Sequence, residues 1–538
     1  MKVVVVGGVA GGPSFATRFR RLNEQNEIIL FERGAHISFA SCALPYYLGD
    51  VITDRESLIE RTPATLKRKN NIDVRVRNEV TAIDPQRQIL QVTNAVSGEA
   101  YEESYDRLVL STGARPVWPD IAGLADATNK FVLRSMSDGD YIKDYMLENQ
   151  PKTVTILGAG AAGVELAENL QGGGMQVTLI DREKQVLAPY DHELAPFLTT
   201  ELTKHGIKVL LETNVTEVTQ QGQVVKLDDG SEVNTDMLIV VTGVQPNNEL
   251  AASAGIALAD DGHIIVDDQL ATNVPNIYAI GDVIETTSRI TGLPIPSMLS
   301  SAANRQGHLL ADILNGESLK YPGFTGVSAV KVYDLTASMV GYTEQSLQAA
   351  GITDYESLFI TPFDHAYFYP NAKRLNIKLI YVPSTGKILG GQFVGENGVD
   401  KRAGELSAAI AGGLTINDLP GIELPYSPPY SAPRDPLNMA GYVGINQRNQ
   451  AETTVSYGDL TDSDRENGVF LDIRESGRQA SGSLKPDVVI PLTTLRDLLD
   501  ELPKDRTIYI LYRKGLGPYN ATRILAGNGF SVKIVTEK

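Results

Sequence analysis

Cysteine is almost absent from this chain: Cys42, in the stretch SFASCALPYY, is the only one among 538 residues. A single thiol excludes an internal disulfide and a metal site built from clustered cysteines. Long apolar runs are missing too, because VVVV at 3–6 and LIVV at 238–241 have the length of strands and fall far short of a bilayer span. We therefore expect no membrane segment and no bound metal.

Positive charge is also in deficit. The chain has 48 Lys and Arg against 66 Asp and Glu, a net charge of −18, which argues against a general nucleic-acid partner. The N-terminus opens directly into a strand, without the cationic start, apolar core and small-residue cleavage site of a signal peptide. We expect a cytoplasmic protein, and the length predicts three or four domains.

A glycine-rich turn between a strand and a helix is the first chemical signature. In KVVVVGGVAGGPSFATRFRRLNEQNEIILFERG, the second apolar strand ends at Glu32, 20 residues beyond Gly12. Glycines let the backbone approach a pyrophosphate at the positive end of the helix, and a carboxylate placed like Glu32 accepts both ribose hydroxyls of an adenine nucleotide. Val9 replaces the middle glycine of the usual pattern. The predicted dinucleotide-binding residues are Gly7, Gly8, Ala10, Gly11, Gly12 and Glu32.

A second glycine-rich turn follows the usual pattern more closely. TVTILGAGAAGVELAENLQGGGMQVTLIDRE contains Gly158, Gly160 and Gly163, and Asp181 closes the next strand 18 residues after Gly163. An acid at that place favours a free 2′-hydroxyl, hence NADH over NADPH. Arg182 keeps NADPH open, since an arginine there can accommodate a 2′-phosphate.

Two such folds imply two dinucleotides, one of them a permanent flavin. Strands also run into Thr-Gly turns in YDRLVLSTGARP, at Thr112 and Gly113, and in TDMLIVVTGVQPN, at Gly243. NIYAIGDV presents Gly281 and Asp282 directly after a strand. Each alone is an ordinary strand end. Together, in this order and spacing, they resemble the two-dinucleotide flavoprotein disulfide reductases over residues 1–445.

This resemblance implies an α/β fold with two Rossmann-like dinucleotide-binding domains and an α+β dimerisation domain. It implies that the first fold and Asp282 bind FAD, with Arg33 and Ser41 among the contacts, and that the second fold binds the nicotinamide nucleotide. The domains that it predicts are an FAD-binding domain at 1–117 and 245–321, an NAD(P)H-binding domain at 118–244 and a dimerisation domain at 322–445.

The lone cysteine lies ten residues past Glu32, at the start of a short predicted helix whose N-terminus would favour a thiolate. The alternative is a small buried hydrophobe, the usual role of a free cysteine. SFASCALPYY, followed by LGDVITDRESLIERTP, is similar to a single-cysteine subgroup of the family. That subgroup contains coenzyme A disulfide reductases, polysulfide and CoA-persulfide reductases, NADH oxidases and NADH peroxidases. Their cysteine cycles through a mixed disulfide with CoA or through a sulfenic acid.

The first turn and ALPYY at 43–47 resemble the coenzyme A branch of the subgroup. CoA carries three phosphates, and two basic clusters are candidates for binding them. The candidate residues are Arg18, Arg20 and Arg21 on the first helix and Lys67 in PATLKRKNNIDV. Lys401 and Arg402, in GENGVDKRAGEL, are further candidates for a ligand phosphate. Solvated surface charge is the alternative for all of them.

Residues 322–445 resemble the interface domain of the family, whose members are symmetric dimers, so we expect a homodimer. Two aromatic segments, HAYFYPNAKR and ELPYSPPYSAPRDPLNMAG, contain Tyr369, Tyr426 and Tyr430. The resemblance implies that these tyrosines reach the partner's cysteine and assist a departing thiolate, whereas packing in the interface is the alternative. Phe368 stands where the family usually has a tyrosine, which leaves Tyr367 as another candidate.

The remaining segment, 455–538, predicts a separate small α/β domain, with strands at VFLDI and IYILY and helices at LRDLLDEL and GPYNATRILAGN. LDIRE at 471–475 and IPL at 490–492 resemble a rhodanese domain. Such domains carry a persulfide on a cysteine that follows the IYILY-type strand, but Tyr512 stands at that place. Tyrosine cannot form a persulfide, so we predict no sulfurtransferase activity of the usual kind.

Together these features predict an FAD-dependent enzyme that oxidises NADH and reduces CoA disulfide, CoA persulfide or polysulfide through Cys42. A water-forming NADH oxidase with a cysteine sulfenate is the second hypothesis. The third is a regulatory or docking protein that binds a partner through its flavin state and its tail domain.

Overall fold

The structure is a computed structural model that describes residues 1–449, 453–475, 485–511 and 516–536. It divides into two units, Met1–Leu335 and Thr336–Lys538. Tyr512 lies outside the described residues, so the predicted loss of the tail's nucleophile is still a sequence prediction. Within the described ranges, no helix is both long enough and apolar enough to cross a bilayer.

A five-stranded parallel sheet lies at the start of the first unit. Its strands, in order across the sheet, are Ile277–Ala279, Arg107–Leu110, Lys2–Val6, Glu27–Glu32 and Asp73–Val76. The central strand is buried, as in parallel sheets covered on both faces. The helix Gly11–Leu22 connects it to the next strand. This sheet therefore combines two stretches of chain that are far apart in sequence.

A second parallel sheet repeats this arrangement. Its strands, in order, are Lys208–Leu210, Gln176–Ile180, Thr153–Leu157, Met237–Val240 and Lys130–Phe131. The helix Ala161–Gly172 connects the central strand to its neighbour, as Gly11–Leu22 does in the first sheet. The first unit thus has the two Rossmann-like folds that the two glycine-rich turns predict.

A two-stranded antiparallel ribbon, Ala114–Pro116 with Val244–Pro246, lies where the chain passes between the two sheets. The predicted boundaries after residue 117 and after residue 244 fall beside this ribbon, and they stay predictions.

The rest of the first unit consists of small sheets and helices. The strands are Asn78–Asp84, Ile89–Asn94 and Ala100–Ser104; Val215–Thr219, Val224–Leu227 and Glu232–Asn234; Ile264–Ile265, Ile284–Thr287 and Pro294–Pro296; and Val327–Val332. The α-helices are Leu44–Leu48, Pro63–Asn70, Met136–Asn149, Ala195–Lys204, Glu249–Ser253 and Ser300–Leu314, and the 3₁₀-helices are Ser41–Ala43, Arg55–Leu58 and Gln220–Gly222.

The second unit begins with an antiparallel sheet and helices. The strands, in order, are Leu335–Gly341, Ile388–Gly395, Asn376–Tyr381 and Glu356–Ile360. Both inner strands are completely buried, which makes them the core of this domain. The helices are Glu344–Ala349, Val399–Ala411, Pro436–Arg448 and the 3₁₀-helix Leu419–Gly421. This is the predicted α+β architecture.

The tail adds a parallel sheet with strands, in order, Thr454–Ser456, Val532–Thr536, Ile508–Leu511, Val469–Asp472 and Val488–Val489. Its described helices are Asp462–Asn467, Leu516–Gly527 and the 3₁₀-helices Tyr457–Asp459 and Leu499–Glu501. The helix predicted at GPYNATRILAGN is confirmed. The helix predicted at LRDLLDEL is wrong, because residues 495–498 form turns and only the 3₁₀-helix Leu499–Glu501 follows them.

Candidate active site

The first glycine-rich turn requires glycine for two separate steric reasons. Gly7 has φ +111°, and a Cβ on it would lie 2.0 Å from the Ser111 carbonyl oxygen. A Cβ on Gly12 would lie 2.0 Å from the Gly7 carbonyl oxygen, which is where the helix begins against the strand. Only glycine allows this turn, and the resulting close approach leaves the backbone N–H groups of the helix start accessible.

Glu32 is fixed beside this turn by backbone groups. Its Oε2 accepts a hydrogen bond from the Gly8 N–H over 2.9 Å, and its Oε1 accepts one from the Gly34 N–H over 2.6 Å. The acid is partly buried at the end of its strand. The position is the one at which a carboxylate can accept ribose hydroxyls.

A cavity of about 1170 Å³ opens at this edge of the first sheet. This volume is larger than that of most small-ligand pockets, which agrees with a ligand as large as a dinucleotide. Predicted residues that line it are Gly7, Gly8, Ala10, Gly11, Glu32, Arg33, Ser41, Cys42, Thr112, Gly113, Gly281 and Asp282. Asn247 holds Thr112 and Gly113 in place, because its backbone bonds to both residues and its side-chain amide donates to the Thr112 carbonyl. The structure therefore brings segments from across the first unit to one site.

Arg134 is a residue of this cavity that the sequence did not reveal. Its Nη2 donates to Oδ2 of Asp282 over 2.6 Å, and both side chains line the cavity. Arg134 lies 148 residues from Asp282 and belongs to no motif, so no local signal identifies it. Its position follows from the helix Met136–Asn149, which begins with a capping box at Ser135 and Asp138.

Cys42 lies in the 3₁₀-helix Ser41–Ala43, and it is exposed and lines the cavity. The alternative of a buried hydrophobe is therefore wrong. On the helix that follows, the Tyr46 hydroxyl donates to Oε1 of Glu165 over 3.1 Å. Burial and the Glu165 charge raise the pKa of Tyr46, and burial raises the pKa of Glu165. This pair ties the cysteine-bearing segment to the helix that follows the second glycine turn.

The second glycine-rich turn has the geometry of the first. Gly158 has φ +107°, and a Cβ on Gly163 would lie 1.9 Å from the Gly158 carbonyl oxygen. Asp181 accepts from the Ala159 N–H over 2.5 Å and from the Glu183 N–H over 2.9 Å, as Glu32 does in the first fold. A Cβ on Gly160 or Gly243 would meet nothing within 4 Å, so packing alone does not require these two glycines.

Arg182 is the residue that left NADPH as an alternative to NADH. Its side chain is 78% exposed, and its Nε lies 3.6 Å from Oε1 of Glu183.

The three predicted catalytic tyrosines lie in the second unit with exposed rings: Tyr369 is 42%, Tyr426 48% and Tyr430 71% exposed. Tyr367 is exposed as well. His365, in contrast, is buried and contacts Asp364 through Nδ1 over 2.8 Å, which is a structural role.

The basic candidates for a CoA phosphate divide into two groups. Arg20 is buried, and its guanidinium donates to the carbonyls of Asn70, Glu24 and Asn71, which argues against a contact with ligand. Arg18 is paired with Asp312 over 2.6 Å. Arg21 and Lys67 are exposed and stay candidates.

Arg402 is 1% exposed and bonds within the protein, so the hypothesis that it reaches a ligand phosphate is wrong.

One group of potential metal ligands occurs among the described residues: Glu201, His205 and Asp334. The carboxylate oxygens of Glu201 are already paired with Lys204 over 3.2 Å and with His205 over 3.1 Å. Asp334 is exposed, and a cluster of this kind does not by itself indicate a metal site.

Comparison with protein families finds two matches along this chain. The model of pyridine nucleotide-disulphide oxidoreductases matches residues 1–307, and the model of the dimerisation domain of the same family matches residues 327–435.

Individual relatives agree with these matches. The coenzyme A disulfide reductase of Staphylococcus aureus (strain bovine RF122 / ET3-1) is 37% identical over 442 residues, which cover 82% of this chain and 99% of that protein. The crystal structure of reduced CoADR-RHD of Bacillus anthracis is 42% identical with a TM-score of 0.96, covering 99% of this chain and 96% of that chain. The structure of an NAD-dependent persulfide reductase of A. fulgidus is 34% identical with a TM-score of 0.90, covering 100% of this chain and 99% of that chain.

A water-forming NADH oxidase of Lactobacillus brevis is less similar, with 28% identity and a TM-score of 0.80, covering 84% of this chain and 99% of that chain. The two glycine-rich turns agree with the family matches, as does the exposed Cys42 thiol in the cavity that the first turn lines. The chain belongs to the pyridine nucleotide-disulphide oxidoreductase family.

Proposed function

We propose that this protein is an FAD-dependent enzyme that oxidises NADH and reduces coenzyme A disulfide or coenzyme A persulfide through Cys42. The observation that carries the proposal is the position of the thiol. The chain's only cysteine is exposed and lines the same cavity as the first glycine-rich turn and Glu32. A single thiol next to a dinucleotide site suits thiol–disulfide exchange with an external substrate.

The residues of the cavity fit FAD. Gly7, Gly8 and Gly11 would face its pyrophosphate, Glu32 would accept its ribose hydroxyls, and Asp282 would accept from its ribityl chain. When bound, FAD would carry two electrons from NADH to the sulfur chemistry at Cys42.

The second turn would hold the nicotinamide nucleotide. Gly158, Gly160 and Gly163 lie at the start of the helix Ala161–Gly172, and Asp181 is fixed at the end of the neighbouring strand. A carboxylate at that place accepts a 2′-hydroxyl but repels a 2′-phosphate, which favours NADH. Arg182 points its charge into solvent beside Glu183, so it gives NADPH little compensation.

The chemistry of the chain begins with the Cys42 thiolate, which attacks one sulfur of the substrate disulfide. The bond that forms is a mixed disulfide, and the other sulfur leaves as a thiolate and takes up a proton. Two electrons that originate from NADH then cleave the mixed disulfide, which restores the Cys42 thiolate and releases the second CoA as a thiol once it has taken up a proton. With a persulfide substrate, the leaving group is hydrosulfide or the CoA thiolate, depending on which sulfur is attacked.

A homodimer is part of the proposal. The match to a dimerisation domain at residues 327–435 supports it, as do the exposed rings of Tyr369, Tyr426 and Tyr430 in that part of the chain. Large exposed aromatics are typical of protein interfaces. In the dimer, these tyrosines would reach Cys42 of the partner and donate to the departing thiolate. A reducing compartment such as the cytoplasm suits an enzyme whose only thiol must stay reactive.

We also propose that the tail is a rhodanese-like domain with a role other than persulfide transfer. Its parallel sheet and the helix Leu516–Gly527 support the likeness, as does LDIRE, where Asp472 is buried and paired with Arg474 over 2.6 Å. The whole chain has no second cysteine that could carry sulfur there. A docking or substrate-guiding role is compatible with such a domain.

The experiment that tests the proposal is intact mass spectrometry of the air-purified protein, denatured without reductant. An adduct of CoA mass that dithiothreitol removes is expected, because the chain offers only Cys42 for a disulfide. An unmodified chain, or one that carries a single added oxygen, would contradict the CoA proposal and favour the sulfenate oxidase. Turnover with oxygen as fast as with the best sulfur substrate would support the same alternative.

A further inference from the structure

A buried arginine joins the two tyrosine-bearing segments of the second unit. The first tyrosine segment is defined here as residues 364–373 and the second as residues 426–435. Arg402, in the helix Val399–Ala411, lies beneath both of them and is 1% exposed. A buried guanidinium must use its donors within the protein, so the identity of its acceptors determines what it holds.

The charge of Arg402 is compensated in the second segment. Its Nη2 donates to Oδ2 of Asp435 over 2.7 Å, and Asp435 is 2% exposed. The same carboxylate oxygen accepts from the Ser431 hydroxyl over 2.5 Å, and Oδ1 accepts from the Leu437 N–H over 2.9 Å. Asp435 therefore caps the helix Pro436–Arg448 and at the same time anchors the end of the second segment to Arg402.

The same Nη2 group of Arg402 also contacts backbone carbonyls of both segments. Nη2 also donates to the carbonyl of Asp364 over 2.9 Å, at the start of the first segment, and to the carbonyl of Tyr430 over 3.5 Å. The Ala366 N–H donates to the carbonyl of Ser431 over 3.0 Å, which joins the backbones directly. The guanidinium and this backbone hydrogen bond together set the distance between the two loops.

The first segment is closed upon itself at the same point. Oδ1 of Asp364 accepts from the Lys373 N–H over 2.9 Å, and Oδ2 accepts from the Asn397 amide over 2.9 Å. The Tyr369 N–H donates to the carbonyl of Ala366 over 2.8 Å. The position of the Tyr369 ring therefore depends on the backbone that Arg402 holds.

We propose that Arg402 is a positioning residue, which sets the rings of Tyr369 and Tyr430 at a fixed separation. This separation serves the half-reaction in which the reduced enzyme passes its electrons to the CoA substrate. The Tyr430 ring is 71% exposed, so ring packing within the unit contributes little to its placement, whereas the Tyr369 ring also lies edge-on against His365, with the ring centroids 5.7 Å apart. Arg402 donates to main-chain carbonyls, those of Asp364 and Tyr430, and not to flexible side chains. A change at Arg402 therefore shifts the backbones of both segments. The functional part of this inference rests on the proposed function of the tyrosines, whereas the coupling of the two segments does not.

The test compares three full-length variants. Arg402→Lys keeps the charge next to Asp435 but cannot donate in the fork geometry that reaches both carbonyls. Arg402→Met removes the charge as well. Arg448→Lys is the matched control, because Arg448 also donates to two carbonyls, those of Pro383 over 2.7 Å and Ser384 over 3.0 Å, outside both segments. Hydrogen–deuterium exchange and rapid-reaction kinetics are measured on each.

For Arg402→Lys we expect amides of both tyrosine segments to exchange about tenfold faster, whereas Arg448→Lys leaves them unchanged. Reduction of the flavin by NADH should proceed at the wild-type rate. Turnover of CoA disulfide should fall by about tenfold in kcat, with little change in the KM for NADH. Arg402→Met should give the same pattern more strongly, and where it does not fold, Arg402→Lys alone decides.

Each alternative outcome has a separate meaning. Unchanged exchange in both segments of Arg402→Lys overturns the coupling. Faster exchange with wild-type kcat overturns the positioning role and leaves Arg402 as a structural residue. If the wild-type protein turns over neither CoA disulfide nor CoA persulfide, the proposed function fails, and the exchange data still decide whether Arg402 couples the segments.

Discussion

Nη2 of Arg134 lies 2.6 Å from Oδ2 of Asp282, and both residues line the cavity of the first unit. The pair joins the loop before the helix Met136–Asn149 to the segment that follows the strand Ile277–Ala279. Asp282 is thereby held with its charge compensated at the place where it would bind the flavin.

Arg134→Ala should weaken the binding of FAD, because Asp282 loses the partner that orients it. The Arg134 side chain is 38% exposed, so solvent screens the pair and the loss is on the order of 1 kcal/mol. About fivefold weaker binding is expected, measured by flavin fluorescence after dilution. Arg87→Ala, which removes an exposed partner of Glu102, is the control. Equal flavin retention in both variants would contradict a role for Arg134.

Cys42→Ser should keep the flavin and its reduction by NADH, since both depend on other residues. Turnover of CoA disulfide should fall by about 1000-fold or more, because serine does not form a mixed disulfide. Stopped-flow reduction and steady-state turnover measure the two halves separately. Retained disulfide turnover in this variant would refute the mechanism.

Alanine in the first glycine-rich turn should affect a different step from alanine in the second. Gly12→Ala places a Cβ 2.0 Å from the Gly7 carbonyl oxygen and should reduce the flavin content of the protein. Gly163→Ala places a Cβ 1.9 Å from the Gly158 carbonyl oxygen and should slow only the reduction of the flavin by NADH. Overpacking of this kind costs about 1–3 kcal/mol. The absorbance ratio of flavin to protein and the rate of reduction by NADH are measured. Gly172→Ala is the control, because its Cβ meets nothing within 4 Å.

Asp181→Ala should narrow the preference for NADH over NADPH. The carboxylate that accepts a ribose hydroxyl is worth about 1.5–3 kcal/mol, so the ratio of kcat/KM for the two nucleotides should fall by about tenfold or more. Asp229→Ala, which removes an exposed acid in a turn of the same part of the chain, should leave the ratio unchanged. A wild-type enzyme that already prefers NADPH would show that the interpretation of Asp181 is wrong.

Acid should destabilise the second unit through Asp435. Burial alone would raise the pKa of Asp435, but the hydrogen bonds and charge of Arg402 lower it below its ordinary value. A carboxyl with a depressed pKa contributes its full stability above the ordinary pKa of about 3.9, and this contribution is lost as the pH falls through that value to the lower pKa of the folded state.

The stability of the wild-type protein should therefore fall from about pH 5 downwards. Asp435→Asn should be about 3 kcal/mol less stable at pH 7, because the buried Arg402 loses its counter-charge, and less sensitive to acid below pH 5. Urea unfolding at a series of pH values measures both effects. Asp354→Asn, at an exposed position, is the control. Parallel pH curves for the wild-type protein and Asp435→Asn would contradict the assignment.

The nucleotide-binding motifs were the part of the site that could be predicted. Gly7, Gly12 and Glu32 belong to one continuous strand–turn–helix–strand unit, in which residue type and spacing follow from backbone sterics. The same reasoning identified Gly163 and Asp181. The resemblance predicted a reactive Cys42, and the structure places this thiol exposed at the cavity, whereas its reactivity stays a prediction.

Predictions from isolated basic residues were less successful. Arg20 and Arg402 are of the residue type that binds phosphates, but the fold buries both of them. Arg20 donates to the carbonyls of Asn70 and Asn71, and Arg402 donates to Asp435. A run of positive charge does not specify which side of its helix is covered. That depends on what packs against the helix.

The sequence by itself determined the two Rossmann-like folds, the acids that close them and the presence of a single thiol, because these features are local in the chain. The tertiary structure alone decided that Arg134 pairs with Asp282 and that Arg402 joins two tyrosine segments. Such contacts join residues 28 to 148 positions apart. They form only when the intervening chain has packed, so no short pattern contains them.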